Sequence, residues 1–257
     1  MYSRIKIQEM INKIFNLLKV IWYLLKLKTN DVRNIILKYP EYIFLNSSDD
    51  KNEILRGFYD EMPFNGQTKR KELVESLIKN FIPDILVETG TYLGNTLQYL
   101  LKFDIPTYSV EINEKFYLIA KSRFLENKNL ILNHGDSVSF LKSLDKSQKK
   151  AFIYLDAHWY NDLPLNEELI YIEQFESAIV LIDDFKIPND SRWKYDNYGK
   201  TDLRIENFNI SSKYKKFFPN YSPKEDGGFM TGCLVLGKGE EATKILKNSY
   251  LLEEFNS

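Results

Sequence analysis

Cysteine is almost absent from this 257-residue chain: Cys233 stands alone. A single cysteine closes no internal disulfide and builds no Cys-rich zinc or iron–sulfur site. Histidine is nearly as scarce, with only His134 and His158. Two imidazoles leave little room for an all-histidine centre, so a metal here would be held mainly by oxygen. Net charge is lacking as well: 35 Lys and Arg face 36 Asp and Glu, a sum of −1. That balance argues against a bulk electrostatic grip on nucleic acid. Nor does the apolar N-terminal stretch 5–27 run long without charge. Lys13, Lys19 and Lys26 interrupt it, and its longest uncharged piece is the six residues Val20 to Leu25. A spanning helix needs about 20 nearly uncharged residues. A signal peptide needs an unbroken apolar core and a small-residue cleavage site, and neither is there.

What is there suits a packed α/β protein. Hydrophobic residues make up 44% of the chain, enough for a sizeable core. The length fits one large domain, or a domain with an appendage. We read 1–60 as a helical extension, broken at Pro40 and at Ser47 to Asp50, and 61–257 as the main domain. Within the extension, 5–27 reads as an amphipathic helix with a lysine-bearing face. It packs on its own domain, on a second copy of the chain, or peripherally on a membrane, where Trp22 and Tyr23 would suit headgroups. The expected location is cytoplasmic, peripheral to a membrane if that helix binds one.

From about residue 66 a rhythm begins. Apolar runs of strand length appear at 85–87, 107–112, 130–133, 151–155 and 178–182. Segments of helical spacing alternate with them at 96–102, 114–126, 137–144 and 165–175, and a further helix over 71–81 is closed by Pro83. Fully apolar strands alternating with helices mean a parallel sheet covered on both faces. Residues 186–229 read as a loop region on the acceptor side of the site. The turn Asp226-Gly227-Gly228 then leads into an apolar run at 233–236, expected as an antiparallel closing strand.

Parallel sheets bind ligands beyond the C-terminal ends of their strands. Here each of the five runs ends in acid or is followed by it: Glu88, Glu111, Asp136, Asp156, and the pair Asp183-Asp184. Five acids at one edge are more than scattered surface charge predicts. Gly90-Thr91-Tyr92-Leu93-Gly94 follows the first run as G-x-x-x-G, not as the G-x-G-x-x-G of dinucleotide binders. Glu111 lies 21 residues past Gly90, the position that takes ribose hydroxyls in Rossmann-like sheets. Together they point to a nucleoside ligand; a solvated strand end is the plainer reading of Glu111.

Glu88 to Gly94, Val110-Glu111 and Gly135-Asp136-Ser137 resemble the motifs of class I S-adenosylmethionine-dependent methyltransferases. The resemblance spans roughly 64–236. It implies a Rossmann-like, doubly wound, mostly parallel seven-stranded sheet with an antiparallel C-terminal strand. It also implies that Glu88, Gly90, Thr91 and Gly94 border the methionine end of the cofactor. Glu111 would hold the ribose, and Asp136 with Ser137 would lie beside the adenine. Tyr154 to Trp159, followed by Leu163-Pro164, is similar to the fourth-strand segment of catechol O-methyltransferase. Ala157 looks like an insertion there, and that enzyme's lysine has no clear counterpart, since Tyr160 or Asn161 stands in its place. Ile182-Asp183-Asp184 resembles the magnesium-binding element of macrocin-type sugar O-methyltransferases. Pro63 to Gln67 with Arg70 resembles a segment found in a group of bacterial methyltransferases.

The residues themselves agree with a metal. Asp156, Asp183 and Asp184 converge with no basic neighbour in view, so their charges call for a cation, expected as Mg2+. His158 is the candidate general base, or else a histidine packed for structure. Trp159 either flanks the cofactor or packs. Asp184 is a ligand or the cap of the next turn. His134 reads as structural. Arg192, Trp193, Lys194, Tyr195, Asp196, Tyr198 and Lys200 would suit a sugar or other polyhydroxylated small-molecule or glycan acceptor, and they would suit a solvated loop too. The expected activity is transfer of a methyl group from S-adenosylmethionine to a hydroxyl. The alternatives are a metal-independent methyltransferase and a non-catalytic cofactor-binding or assembly module. No nucleic-acid partner is expected: besides the charge balance, the Asn/Asp-Pro-Pro-aromatic signature of amino methyltransferases is missing at 156–159.

Overall fold

The computed structural model describes residues 62–147, 149–158, 163–197 and 202–255. The expected extension 1–60, with its stretch 5–27, and Trp159 lie outside the described residues. All five apolar runs are strands: β1 (Ile85–Thr89), β2 (Thr107–Glu111), β3 (Leu130–His134), β4 (Lys150–Leu155) and β5 (Ser177–Ile182). They pair in parallel, in the order β3-β2-β1-β4-β5. Three more strands extend this sheet: β6 (Tyr214–Pro219), β7 (Leu234–Lys238) and β8 (Leu252–Phe255). β7 inserts antiparallel between β5 and β6, and β8 pairs antiparallel with the outer side of β6.

The α/β, doubly wound reading holds, with one strand more than the expected seven. β8 carries Glu253 and Glu254, which hide it as a solvated tail. β6 is the larger surprise, because it lies inside the expected loop region 186–229. Lys215 and Lys216 break its apolar run, yet Phe217, Phe218 and Pro219 are buried. Only part of a strand's length need be apolar: β6 is flanked by β7 and β8, and Phe217 to Pro219 carry its packing while the lysines lie toward its start.

Helices cover both faces: α1 (Thr68–Phe81), α2 (Asn95–Leu100), α3 (Glu114–Arg123), α4 (Ser137–Ser143), α5 (Leu165–Ile172), the single turn α6 (Pro223–Asp226) and α7 (Glu240–Lys247). Alternate residues of a strand point to opposite faces. Ile85, Val87, Ile153, Leu155, Val180 and Ile182 therefore join one core, with Phe140 of α4 and Leu165, Leu169 and Ile172 of α5. Leu86, Phe152, Tyr154, Ile179 and Leu181 join the other, with Leu73, Leu77 and Phe81 of α1 and Leu246 of α7. Truncating any one of these buried aliphatics to alanine removes contacts worth about 2–5 kcal/mol. Among the described residues no helix is long and apolar enough to cross a membrane.

Candidate active site

The strand order reverses at β1, which lies between β2 and β4. Ligands in such sheets bind in the crevice that opens there. Thr89 is registered beside Leu155, so the residues just beyond them meet. Gly90 has φ +81, and a Cβ on it would lie 2.3 Å from the Asp156 carbonyl oxygen. Only glycine lets the turn after β1 approach β4 this closely. The close approach is to the chain's own backbone, which spacing alone could not reveal. Gly90 and Thr91 donate their N–H groups to the Val110 carbonyl at 3.0 and 3.2 Å. Gly94, with φ +82, leads into α2.

Glu88 is buried at the tip of β1. Ser109 Oγ donates to its Oε2 at 2.5 Å, and Thr91 Oγ1 lies 2.6 Å from the same hydroxyl. Burial, with help from the charge of Glu111, pushes the Glu88 carboxyl up to about 8 against the pull of Ser109. The folded protein thus holds a proton that the unfolded chain releases near pH ~4.3. Its contribution to stability is full below that point and drains away as pH rises to about 8. Glu88→Gln mimics the protonated acid and cannot lose the proton. Its melting temperature is expected to match the native chain near pH 5. The gap should widen with pH and level off past about 8, reaching on the order of 10 °C. Thermal scans from pH 5 to 9 measure this, and parallel curves would show that Glu88 ionises freely.

Glu111 is buried at the tip of β2, and burial raises its carboxyl above the usual range. Its Oε2 accepts from Tyr92 N at 2.6 Å and its Oε1 from Asn113 N at 2.8 Å. A carboxylate has about four acceptor sites, so each oxygen keeps capacity for a hydroxyl. Asp136 caps α4: its Oδ1 accepts from Ser139 N at 2.7 Å, which holds its carboxyl below the usual value. Ser137 behind it is buried. His134 stacks on Tyr117 with ring centres 5.0 Å apart.

The acids after β4 and β5 are the densest part of the cleft, and they divide. Asp183 is fully buried. Its Oδ1 pairs with Arg70 Nη1 and accepts from Asp184 N at 2.9 Å, and its Oδ2 accepts from the Tyr154 hydroxyl. Arg70 is itself fully buried and donates from Nη2 to Thr231 O at 2.6 Å. Burial opposes the Arg70 charge, but Asp183 together with Cys233, Tyr221 and Tyr154 raises it overall. The expected absence of a basic neighbour therefore does not hold. Arg70 comes from α1, and the gap of 113 residues hides it from any local reading.

Asp184 faces the other way. Its φ is 50, a left-handed conformation that Asp tolerates better than most residues. The carboxylate oxygens of Asp156 and Asp184 and a ring nitrogen of His158 lie within 4.8 Å of one another. His158 Nε2 is 3.7 Å from Asp156 Oδ1, 4.0 Å from Asp184 Oδ2 and 3.9 Å from Asp196 Oδ2. Burial and the charge of Asp183 push the Asp184 carboxyl up to about 8. Burial, then Asp183 and Asp184, raise Asp156 well above the carboxylate range. Burial also lowers His158, against the pull of Asp196 and Asp183.

Three participants escaped the sequence reading of this cluster: Tyr154 and Arg70 as partners of Asp183, and Asp196 beside His158. Tyr154 carried a signal, because a hydroxyl in a fully buried apolar run needs a partner. Trp193, grouped with the acceptor-side residues, is instead buried in the core, its ring centre 5.7 Å from that of Tyr221. Arg192 is exposed and holds Asp190 through Nε at 2.8 Å and Nη2 at 2.7 Å.

No protein-family model matches the chain, and no curated protein sequence does. Solved structures do share its fold. One is a candidate O-methyltransferase from Klebsiella pneumoniae, 13% identical, with a TM-score of 0.50 over 79% of this chain and 96% of that one. Another is the O-methyltransferase from Bacillus cereus in complex with SAH, 17% identical, with a TM-score of 0.50 over the same shares of the two chains. At that identity the likeness is one of fold.

Proposed function

We propose that this chain is an S-adenosylmethionine-dependent O-methyltransferase assisted by a divalent cation, Mg2+ or its close analogue Mn2+. The observation that carries the reading is the contact between Gly90 and Asp156. It joins a turn of the methyltransferase type to a cluster of metal-ligand chemistry in one cleft. The cluster fits a cation. Asp184 Oδ1 is buried without a hydrogen-bond partner, and the carboxyls of Asp156 and Asp184 are hard to ionise without a positive charge between them. The cofactor cradle fits a nucleoside too, through the acceptor capacity left on Glu111.

Bound S-adenosylmethionine would supply the methyl group, and a bound cation would orient the acceptor hydroxyl and lower its pKa. The chain does the positioning, which is most of what an in-line methyl transfer needs. Glu111 accepts from the ribose hydroxyls. Glu88, Gly90, Thr91 and Gly94 border the methionine end. Asp136 and Ser137 flank the adenine side. Asp156, Asp184 and His158 hold the cation, while Asp183 acts from behind through Asp184. His158, its basicity lowered by burial, also suits the proton-accepting role expected from the sequence. Mn2+ affinity of His158→Gln separates the two roles, since a base that is not a ligand leaves it unchanged. The acceptor is a small polyhydroxylated molecule or a glycan, met by the charged and aromatic segment that contains Tyr195 and Asp196.

Excess EDTA is expected to lower turnover by at least ~100-fold, and added Mg2+ or Mn2+ to restore it. With an imidazole in the donor set, Mn2+ should half-restore at a lower concentration than Mg2+. Full turnover in EDTA would leave a methyltransferase without a metal. Calorimetry that detects neither S-adenosylmethionine nor its demethylated product at millimolar concentration would point to a non-catalytic module instead.

A further inference from the structure

The pair Asp183-Asp184 is adjacent in sequence but split in space, and this leaves the cleft one carboxylate short of three. Asp183 Oδ1 is taken by Arg70 and Asp184 N, Oδ2 accepts from the Tyr154 hydroxyl, and none of the residue is exposed. A third carboxylate nevertheless approaches the same imidazole, just outside the set of donors that lie within 4.8 Å of one another. Asp196 Oδ2 lies 3.9 Å from His158 Nε2, between the 3.7 Å of Asp156 and the 4.0 Å of Asp184.

Backbone ties hold Asp196 there. Its N–H donates to the Asp184 carbonyl at 2.9 Å, and its own carbonyl accepts from Leu203 N at 3.1 Å. Two residues earlier, Lys194 N donates to Met230 O at 3.0 Å, and Gly232 N donates to Lys194 O at 2.9 Å. Thr231 is thus locked between this loop and Arg70, whose Nη2 reaches the Thr231 carbonyl at 2.6 Å. Gly228 seals the same region from the other side: with φ +55, a Cβ on it would lie 2.4 Å from the Asn65 carbonyl oxygen. The charge of Asp196 bears on both Asp156 and Asp184. The arrangement makes chemical sense when a cation sits among them.

We propose that Asp196, not Asp183, supplies the third carboxylate to the cation held by Asp156, Asp184 and His158. The inference rests on the metal-assisted reading above. Asp196 is the outermost donor, its side chain 36% exposed against 16% for Asp184 and 4% for His158. It lies on the stretch that would meet the acceptor. Cation binding would therefore tie that stretch to the ends of β4 and β5. Asp183 becomes a positioning residue, which bonds Asp184 N and leaves the Asp184 carboxylate turned toward His158.

The test is Mn2+ binding followed by electron paramagnetic resonance and by water-proton relaxation, on the full chain with SAH present. Asp196→Asn is expected to weaken Mn2+ binding at least ~10-fold. It should also enhance water-proton relaxation per bound ion, as water replaces the lost oxygen. SAH affinity should stay within error, and the metal-free variant should melt no lower than the native chain, since one like charge has been removed from beside Asp156 and Asp184. Asp196→Ser serves as the second variant should the amide fold poorly. Mn2+ binding unchanged in a folded Asp196 variant overturns the assignment, and so does a fall in turnover at unchanged Mn2+ affinity, which would make Asp196 a base. If the native chain binds no Mn2+ at all, the metal-assisted reading itself fails, and the two failures are told apart.

Discussion

Replacing Arg70 with methionine should lower stability by roughly 3–5 kcal/mol, the cost of leaving a buried charge without its partner. For a domain of this size that is a fall in melting temperature of about 10 °C. The orphan would be Asp183, fully buried and left with only the Tyr154 hydroxyl and one backbone N–H. Methionine keeps most of the volume of the stem, so a packing defect is not the main effect. The Thr231 carbonyl would lose its bond from Arg70 and keep the one from Gln67 Nε2 at 2.8 Å. The decisive comparison is a double-mutant cycle. Asp183→Asn removes the stranded charge, keeps one oxygen to accept from Asp184 N, and turns its NH2 toward the Tyr154 hydroxyl, whose oxygen can accept. The double variant Arg70→Met with Asp183→Asn should therefore recover at least half of the loss. Additive losses would mean that Arg70 acts through packing or through Thr231 and not through Asp183. Measured by chemical denaturation with EDTA present, the cycle is independent of any metal.

Arg70 also shows where sequence stops being informative. The five parallel strands were readable because both of their faces are buried, which makes each a run of apolar residues. The acids at their ends were readable because parallel strands all finish at one edge. β6 and β8 were not, because Lys215, Lys216, Glu253 and Glu254 suit an edge as well as they suit a loop. Within the cleft, adjacency made Asp183 and Asp184 look equivalent. Nothing local separates them, since the side chain that does so arrives from α1. Likewise Asp196 enters through backbone bonds to Asp184 and Leu203, which carry no residue signature. Gly90 was readable as a turn glycine, and its partner, the Asp156 backbone, was not. Site residues at strand ends can thus be read from topology. Their division of labour is set by tertiary contacts.

Asp156→Asn should separate activity from stability most sharply. Turnover is expected to fall by about 10³-fold, as for loss of one charged donor to the reacting group. Asparagine keeps the shape of Asp156, and the contact with Gly90 is made by the backbone, so SAH affinity should stay within about threefold. Stability in EDTA should move the opposite way. The Asp156 carboxyl is raised well above its usual range by burial and by Asp183 and Asp184. A group whose proton is held more tightly in the folded state loses stability as pH rises above the unfolded value, here ~3.9. The amide escapes that loss, so the metal-free variant should melt a few degrees higher than the native chain near pH 8, and the gap should shrink toward pH 5. Saturating Mg2+ or Mn2+ reverses the ranking, because the native chain gains stability from an ion that the variant binds poorly. A crossing of the two melting temperatures on titration with metal is the expected signature. If the native chain is the more stable of the two in EDTA at pH 8, the carboxylates do not repel one another there, and the electrostatic case for a cation at this cleft is lost.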